Sequence, residues 1–275
     1  MFEPRVAAAS LSGQADAAWA RAAEPWVGCA FLGGVALDGP TRAAARRLRD
    51  RDRSEFLPDS PIEFVDGQLA ALADADLRPA FNVRSAATEP IREAAAVCAD
   101  RGAILEVNAH CRQREMCAAG AGESLLRDGE RLREQVAAAA SAGATVSVKL
   151  RTEVAEVDLP ELSAQLVDAG ADALHVDAMD SEPVVADVVA AAPDAFVIAN
   201  NGVRDRESAL EYLEYGADAV SVGRPSDDPA TLRRVRRAVD GWFDGSGDRD
   251  AATGRDRSGG HDAPTGRDGE VTPDA

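Results

Sequence analysis

The sequence lacks the features that mark several common protein classes. No apolar run in its 275 residues approaches the roughly 18 that a membrane span needs, and residues 1–10 lack the charged and then apolar layout of a signal peptide. Cysteine is scarce and forms no Cys-x-x-Cys pair; the four are Cys29, Cys98, Cys111 and Cys117. This pattern provides neither a disulfide framework nor structural zinc. We therefore expect a soluble protein of the reducing cytoplasm with no metal site.

Lysine is almost absent as well. The chain has 48 acidic and 30 basic residues, a formal net charge of −18, and Lys149 is its single lysine. Such a balance argues against a generic nucleic-acid-binding surface. An acidic surface that is poor in lysine is also typical of proteins that work in very high salt, where screening removes the penalty of self-repulsion. We interpret the charge as an adaptation to a halophilic cytosol.

Hydrophobic residues nearly vanish from Gly245 onward. The segment 245–275 contains one valine as its only sizeable aliphatic residue and no aromatic residue. It cannot compensate its ordering entropy by burying apolar surface. We expect a domain over residues 1–244 followed by a disordered acidic tail over 245–275.

Short β-branched runs alternate with helical stretches throughout the first 244 residues. The predicted strands are Arg5–Ser10, Val27–Val35, Pro79–Ser85, Ile104–His110, Thr145–Arg151, Ala173–Asp177, Phe196–Asn201 and Ala219–Gly223. The predicted helices are Thr41–Asp52, Ile62–Ala73, Glu89–Asp100, Glu123–Ser141, Leu159–Ala169, Val184–Ala191, Arg206–Tyr215 and Ala230–Phe243. Eight βα units in this length predict a (β/α)8 TIM barrel. The rival, a doubly wound open sheet, has no G-x-G-x-x-G motif to support it.

Several predicted strands alternate apolar and polar residues, although strands buried on both faces usually read as continuous apolar runs. Asn82, Glu106, Asn108, Lys149 and His175 each stand between apolar neighbours. If the apolar set faces the helices, the polar set points to the barrel axis or rim, where it needs partners. We expect a polar ligand at the C-terminal mouth; the alternative is a ligand-free network, for instance Lys149 with Glu106.

Lys149 lies in mid-strand in a protein that otherwise uses arginine. A compact ammonium suits a lone carbonyl or ring-nitrogen acceptor, and an amine that can lose its proton suits Schiff-base chemistry, whereas arginine does neither well. We therefore predict that Lys149 touches a ligand.

Two loops at the predicted C-terminal mouth carry further candidates. Cys111 follows the strand that ends in Asn108-Ala109-His110, on the catalytic face of such barrels. A protonated thiol there can donate a proton and a thiolate can act as a nucleophile; His110 does not decide between them. Cys29, Cys98 and Cys117, on a strand, a helix and a loop, are interpreted as structural.

The loops after the seventh and eighth strands most often build a phosphate site in this fold. They contain Asn200-Asn201-Gly202-Val203 and Gly223-Arg224. Glycine lets backbone N–H groups approach an anion, and an arginine can grip it with two parallel bonds. We predict a phosphate-bearing cofactor or substrate at these loops.

Taken in order, these motifs resemble the flavin-dependent tRNA-dihydrouridine synthases, and most closely a short archaeal branch of them. The resemblance runs from about residue 5 to residue 243. It rests on Asn82, Asn108-x-x-Cys111, the GAGESLL stretch of residues 120–126, Val-Lys149-Leu-Arg, His175, Asn-Gly202-Val and the stretch from Gly216 to Arg224.

The resemblance implies an oxidoreductase in which NADPH reduces FMN and hydride passes to the uracil ring of tRNA. It implies Cys111 as proton donor, with His110 as the nearest alternative, and Asn108 in contact with flavin or uracil. The remaining cofactor-binding residues would be Asn82 in the family's usual glutamine position, Lys149 and His175 at the polar edge of the ring, and Asn200, Asn201, Gly202, Gly223 and Arg224 around the phosphate. We expect a monomer or weak dimer that does not bind membranes.

Three departures from the family pattern make RNA a less secure expectation than flavin. The loop reads Asn-Ala-His-Cys-Arg where the family has Asn-x-Gly-Cys-Pro, Asp177 replaces an arginine after His175, and the helical RNA-binding domain has no room before the tail. The alternatives are a Schiff-base lyase or isomerase on a sugar phosphate, a flavin oxidoreductase with a small pyrimidine-like substrate, and a non-catalytic flavin or nucleotide binder.

Overall fold

The computed structural model describes residues 1–245, in which eight parallel strands close into a barrel in chain order. The strands are β1 (Val6–Ala8), β2 (Cys29–Ala36), β3 (Arg78–Arg84), β4 (Ile104–Asn108), β5 (Thr145–Arg151), β6 (Ala173–Asp177), β7 (Phe196–Asn200) and β8 (Ala219–Val222). Pairing of β1 with β8 completes the ring. The predicted (β/α)8 TIM barrel is confirmed.

Helices surround the barrel and cover its rim. They are α1 (Ala17–Ala23), α2 (Gly39–Arg49), α3 (Pro61–Ala70), α4 (Thr88–Asp100), α5 (Arg114–Ala118), α6 (Ser124–Arg127), α7 (Gly129–Ser141), α8 (Leu159–Asp168), α9 (Val184–Ala191), α10 (Arg206–Glu214) and α11 (Pro229–Phe243). Aspartates start many of them; the Asp38 and Asp158 side chains, for example, accept the N–H groups of Thr41 and Glu161. Each such cap is worth about 1 kcal/mol.

The helix predictions were wrong in three places. The stretch predicted as one helix over Glu123–Ser141 is two, because Asp128 leaves helical geometry (φ −112°, ψ 62°) and caps α7 instead. The short helices α1 and α5 were missed. Cys117 consequently lies in α5 and not in a loop.

Apolar side chains form three groups that together explain the layout of the barrel. The largest fills the space between the strands and the outer helices. A second, with Phe31, Ile104 and Ile198, fills the lower half of the lumen at the N-terminal end of the strands. The third lies at the opposite rim, where α2 packs on α5. The prediction of a polar lumen therefore holds only for the upper half, because apolar side chains close the floor.

Two findings on the described residues concern membrane-spanning helices and metal ions. No helix within residues 1–245 is long and apolar enough to cross a membrane. The same part of the chain contains no group of His, Cys, Asp and Glu arranged to hold a metal ion. The predicted tail lies outside the described residues apart from Gly245.

Candidate active site

A cavity of about 500 Å³ opens at the C-terminal end of the strands. Its walls come from the ends of β4 to β8 and from the segment after β1. They include Ser10, His110, Lys149, Asp177, Asn200, Asn201, Gly202, Gly223 and Arg224. Seven of the eleven residues predicted to form the site therefore line one cavity. This volume is within the range typical of small-molecule sites.

Lys149 supplies a free cation to this cavity. Its residue is 2% exposed, and among residues 1–245 its ammonium has no hydrogen-bond or ion-pair partner. The alternative pairing with Glu106 is wrong as a direct contact, since the Glu106 carboxylate is bonded to Asn82, Ser147 and His175. A buried ammonium is costly without an acceptor. The cavity therefore calls for a ligand that brings one.

Asp177 supplies an acceptor to the same cavity. Its Oδ2 lies 3.1 Å from Nδ1 of His110, and its buried Oδ1 has no side-chain partner in the described part of the chain, where the backbone N–H of Met179 is its neighbour. The hydrogen bond from His110 and the charge of Lys149 outweigh the opposing effect of burial and lower the pKa of Asp177. Burial lowers the pKa of His110, against the raising effect of Asp177. The pair thus places an ionised carboxylate, with His110 as its side-chain partner, at the cavity wall.

Glu106 organises the layer beneath the cavity. It is fully buried and accepts from Asn82 Nδ2 at 2.7 Å and Ser147 Oγ at 3.3 Å, while its Oε2 lies 2.6 Å from His175 Nδ1. Although burial alone would raise it, the pKa of Glu106 is lowered, chiefly by His175. A carboxylate can only accept, so all three neighbours must direct protons toward it.

His175 belongs to this lower layer and does not line the cavity. Its Nε2 lies 2.8 Å from Ser221 Oγ, which is also 2.8 Å from Oδ1 of Asn200 at the cavity wall. The single proton of Ser221 can go to only one of these two acceptors at a time. Burial lowers the pKa of His175 despite the nearby Glu106. His175 therefore acts on the cavity through Ser221 and Asn200.

A second chain of hydrogen bonds joins Glu106 to the loop that follows β4. Asn108 Nδ2 donates to Asn82 Oδ1 at 2.9 Å, and Asn108 Oδ1 accepts the N–H of Cys111 at 3.0 Å. Asn82 is fully buried and Asn108 is 5% exposed. The two asparagines thus hold the backbone of the Cys111 loop and lie below the cavity lining.

Cys111 packs on the rim and is not part of the cavity wall. Its side chain is partly exposed and contacts the third apolar cluster, which includes Leu48 and Met116. Its carbonyl oxygen accepts the N–H of Glu123 at 2.9 Å and the thiol of Cys117 at 3.4 Å. Gly122 (φ +65°) lies against the same carbonyl, where an added Cβ would be 2.3 Å from the oxygen. The loop is thus folded back on itself beside the mouth.

The predicted phosphate loops lie side by side at the cavity wall. Asn201 adopts φ 103° and donates from Nδ2 to the carbonyl of Met179 at 2.7 Å; Gly202 follows with φ 66°. Tyr212 of α10 donates to the carbonyl of Asn201 at 3.0 Å and fixes the turn from behind. Gly223 and Arg224 begin a 3-10 helix (Arg224–Asp227), and no atom lies within 4 Å of a Cβ placed at Gly223. An anion can approach the backbone there.

Sequence reasoning missed three contributors to this arrangement. Ser147 and Ser221 occupy the inward polar positions of β5 and β8, and the alternation in those strands was the available signal. Asp177 was noted only as a departure from a family pattern. Nothing in the sequence indicates its pairing with His110, because closure of the barrel brings the two together.

Comparison with known proteins agrees with the fold and the motifs. The family model described as dihydrouridine synthase matches residues 73–245. The chain is 27% identical over 236 residues to an uncharacterized protein of Methanocaldococcus jannaschii, covering 81% of this chain and 89% of that one. It is 31% identical over 159 residues to tRNA-dihydrouridine synthase B of Xanthomonas axonopodis pv. citri, covering 52% of this chain and 48% of the relative.

A solved structure gives a further match to the fold alone. Thiamine phosphate pyrophosphorylase from Pyrococcus furiosus superposes with a TM-score of 0.51 over 86% of this chain and 95% of its own, at 11% identity. Identity this low carries no functional argument.

Proposed function

Since the chain belongs to the dihydrouridine synthase family, we propose that it reduces a uridine of tRNA to dihydrouridine, with FMN as cofactor and NADPH as reductant. The observation that carries this proposal is the presence of an unpaired ammonium and an ionised carboxylate at the wall of one cavity. Lys149 offers donors and Asp177 offers an acceptor. A pyrimidine ring edge, with a carbonyl beside an N–H, has the complementary pattern.

FMN fits the residues that are present. Its ring carries such a pyrimidine edge, which Lys149 and Asp177 would bind, and its phosphate would lie against Gly202, Gly223 and Arg224. Both the unsatisfied polar groups and the open approach at Gly223 favour a ligand with a ring head and an anionic tail. FMN, when bound, supplies hydride transfer.

The chain's own groups would orient the substrate and move a proton. We assign proton donation to the Cys111 thiol, with His110 as the alternative because it already lines the cavity. Asn108 holds the backbone N–H groups of both residues at 3.3 Å and 3.0 Å. It therefore positions whichever of them donates. Since the Cys111 side chain packs on the rim, its role requires the loop to turn toward the cavity.

The proposal is tested by the cofactor and the product together. The protein should purify with non-covalent FMN, visible as absorbance near about 450 nm that is released on denaturation. Lys149→Met should lose FMN, and Lys149→Arg should bind poorly because a fork of donors does not fit a point-charge site. A colourless protein that takes up no FMN contradicts the proposal. Trapping of a sugar phosphate on Lys149 with borohydride would establish a Schiff-base enzyme instead.

The proton donor is tested in a single turnover. Prereduced enzyme is mixed with unmodified tRNA, and flavin reoxidation is followed while dihydrouridine is quantified. Cys111→Ala should slow the reaction by about 10²-fold to 10⁴-fold, the usual contribution of a general acid, with FMN content unchanged. Cys117→Ala is the matched control and should react like the parent. If Cys111→Ala also reacts like the parent while His110→Gln is slow, the imidazole is the donor.

A further inference from the structure

Seven exposed arginines are concentrated at one side of the barrel mouth, in a chain whose net charge is −18. They lie on α2, on the turn that follows it, and on the Cys111 loop up to the first residue of α5. We call this set the arginine cap: Arg46, Arg47, Arg49, Arg51, Arg53, Arg112 and Arg114. The acidic residues among them are Asp50, Asp52 and Glu115.

The two parts of the cap form one packed surface. Ala44, Ala45 and Leu48 on the buried face of α2 contact Met116 of α5 in the rim cluster. Arg51 is ion-paired with Glu115 across the junction. Because the apolar face of α2 is turned into this cluster, its arginines are directed outward. The remaining arginines of the cap have no carboxylate partner within residues 1–245.

The cap borders the candidate active site. The α2 helix starts at the rim over the end of β3, where its N-cap Asp38 also accepts the N–H groups of Ala86 and Ala87. The rim cluster beneath it includes Cys111. Arg112 is the next residue in the chain, so the cap reaches the proposed proton donor.

Some other outer helices are acidic, although α11 is a second arginine-rich helix, with Arg233, Arg234, Arg236 and Arg237 against Asp240. The exposed face of α10 carries Glu207, Glu211 and Glu214, and α3 carries Glu63 and Asp66 with no basic residue. A polyanion is therefore repelled by the acidic helices and attracted at the cap and at α11, of which only the cap includes residues of the Cys111 loop. Such an arrangement orients a charged partner during its approach.

We propose that the arginine cap binds the phosphate backbone of tRNA next to the nucleotide that enters the cavity, an inference that rests on the proposed function. RNA is the polyanion that this surface fits best, because the cap borders the cavity in which the proposed reaction on a tRNA uridine would take place. Arginine forks bind phosphate oxygens in pairs.

The experiment measures binding of unmodified tRNA by fluorescence anisotropy over a range of salt concentrations. The double variant Arg47→Gln with Arg49→Gln removes two charges from the cap. The control, Arg233→Gln with Arg237→Gln, removes two exposed arginines from α11, the other arginine-rich helix, where neither has a carboxylate partner in the described residues. Both variants change the net charge equally, so a difference between them reports position.

For the cap variant, the logarithm of the tRNA association constant should fall less steeply with the logarithm of the salt concentration. The magnitude of this slope should decrease by about 1 per lost phosphate contact. At 0.1 M salt its affinity should fall roughly 25-fold to 60-fold, as expected for two released counterions. The control should stay near the parent. If Arg47→Gln with Arg49→Gln does not fold, Arg53→Gln with Arg112→Gln removes two cap charges outside any helix.

The outcomes separate the two proposals. If the cap and control variants weaken binding equally, or neither does, while the parent forms dihydrouridine, the cap proposal is wrong and the proposed function stands. If the parent neither binds tRNA nor forms dihydrouridine, the proposed function fails, and the cap proposal fails with it.

Discussion

At the scale of single residues, the site is defined by which polar groups are satisfied and which are not. Glu106 has a donor on every side, whereas Lys149 has no partner in the described residues and the Asp177 carboxylate has His110 as its side-chain partner there. Polar groups whose hydrogen bonds are all formed within the protein are held rigidly. Polar groups without a protein partner gain the most free energy when a ligand supplies one. Ligand binding should therefore depend steeply on Lys149 and Asp177, while Glu106 should act through the groups that it holds.

The first residue-scale prediction concerns Asp177. Asp177→Asn keeps the shape but replaces an ionised acceptor by a neutral amide. Because hydrogen bonds to charged groups contribute about 1.5–3 kcal/mol, FMN affinity should fall roughly 10-fold to 150-fold. Titration of the apoprotein with FMN measures this loss. Asp187→Asn, an exposed position on α9 with the same change of charge, should bind FMN like the parent.

The second residue-scale prediction concerns which ring nitrogen of His175 carries the proton. Since Glu106 accepts from Nδ1 and burial lowers the pKa of His175, we expect a neutral ring at pH 7 with its proton on Nδ1. The chain has only three histidines, which makes ¹⁵N imidazole spectra simple to assign. Glu106→Gln should shift the tautomer equilibrium, and Ser147→Ala should leave it unchanged. An imidazolium at pH 7, or a proton held on Nε2, would contradict this assignment.

The same groups set the pH dependence of stability. The folded pKa of both His175 and His110 is below the ordinary 6.5, so the unfolded chain binds their protons first as the pH falls. The free energy of unfolding should therefore decrease below about pH 6.5, before most carboxylates titrate. The lowered pKa of Glu106 adds a further loss below its ordinary 4.5. Urea unfolding between pH 7.5 and about pH 3 measures both effects.

At the scale of elements, the loop from β4 to α6 is the part whose shape matters most to the chemistry. Gly122→Ala places a Cβ 2.3 Å from the Cys111 carbonyl, whereas Gly102 has the same φ of +65° and nothing within 4 Å. Both alanines carry the strain of left-handed backbone, about 1 kcal/mol, but only the first displaces Cys111. Gly122→Ala should thus change the alkylation rate of the Cys111 thiol, measured by peptide mapping, and slow tRNA reduction. Equal effects of the two substitutions would show that the loop tolerates the displacement.

The elements also show how far the sequence could predict the structure. All eight strands were predictable because their alternation and turn residues are local signals. The helices α1 and α5 were not, since each is too short for an apolar period to be read. The packing of α5 on α2 decides where the Cys111 side chain lies, and that contact joins segments about 70 residues apart. The contact of His110 with Asp177 likewise depends on barrel closure.

At the scale of the whole molecule, residues 1–245 contain the complete barrel. Deletion of residues 246–275 should leave the melting temperature in high salt unchanged, because that segment has almost no apolar surface to bury. Differential scanning calorimetry of the two forms tests this expectation. A clear loss of stability on deletion would show that the segment packs against the barrel.

Net charge gives a second prediction at this scale. An excess of 18 negative charges opposes compaction when it is unscreened, so the melting temperature should rise from dilute buffer to molar salt. The melting temperature is measured in NaCl and in KCl at equal ionic strength, because general charge screening predicts the same rise in melting temperature in both salts. A flat response would remove the argument for a halophilic habitat.

The closed apolar floor of the barrel has a consequence for kinetic order. Phe31, Ile104 and Ile198 seal the lower lumen, so the cavity between them and the rim has its opening at the C-terminal end. A nicotinamide donor and a tRNA would have to reach the same ring through that one opening, and the two are too large to occupy it together. On the proposed function, the reductant would therefore leave before the RNA arrives. Double-reciprocal plots at several fixed NADPH concentrations should accordingly be parallel, the signature of a ping-pong reaction.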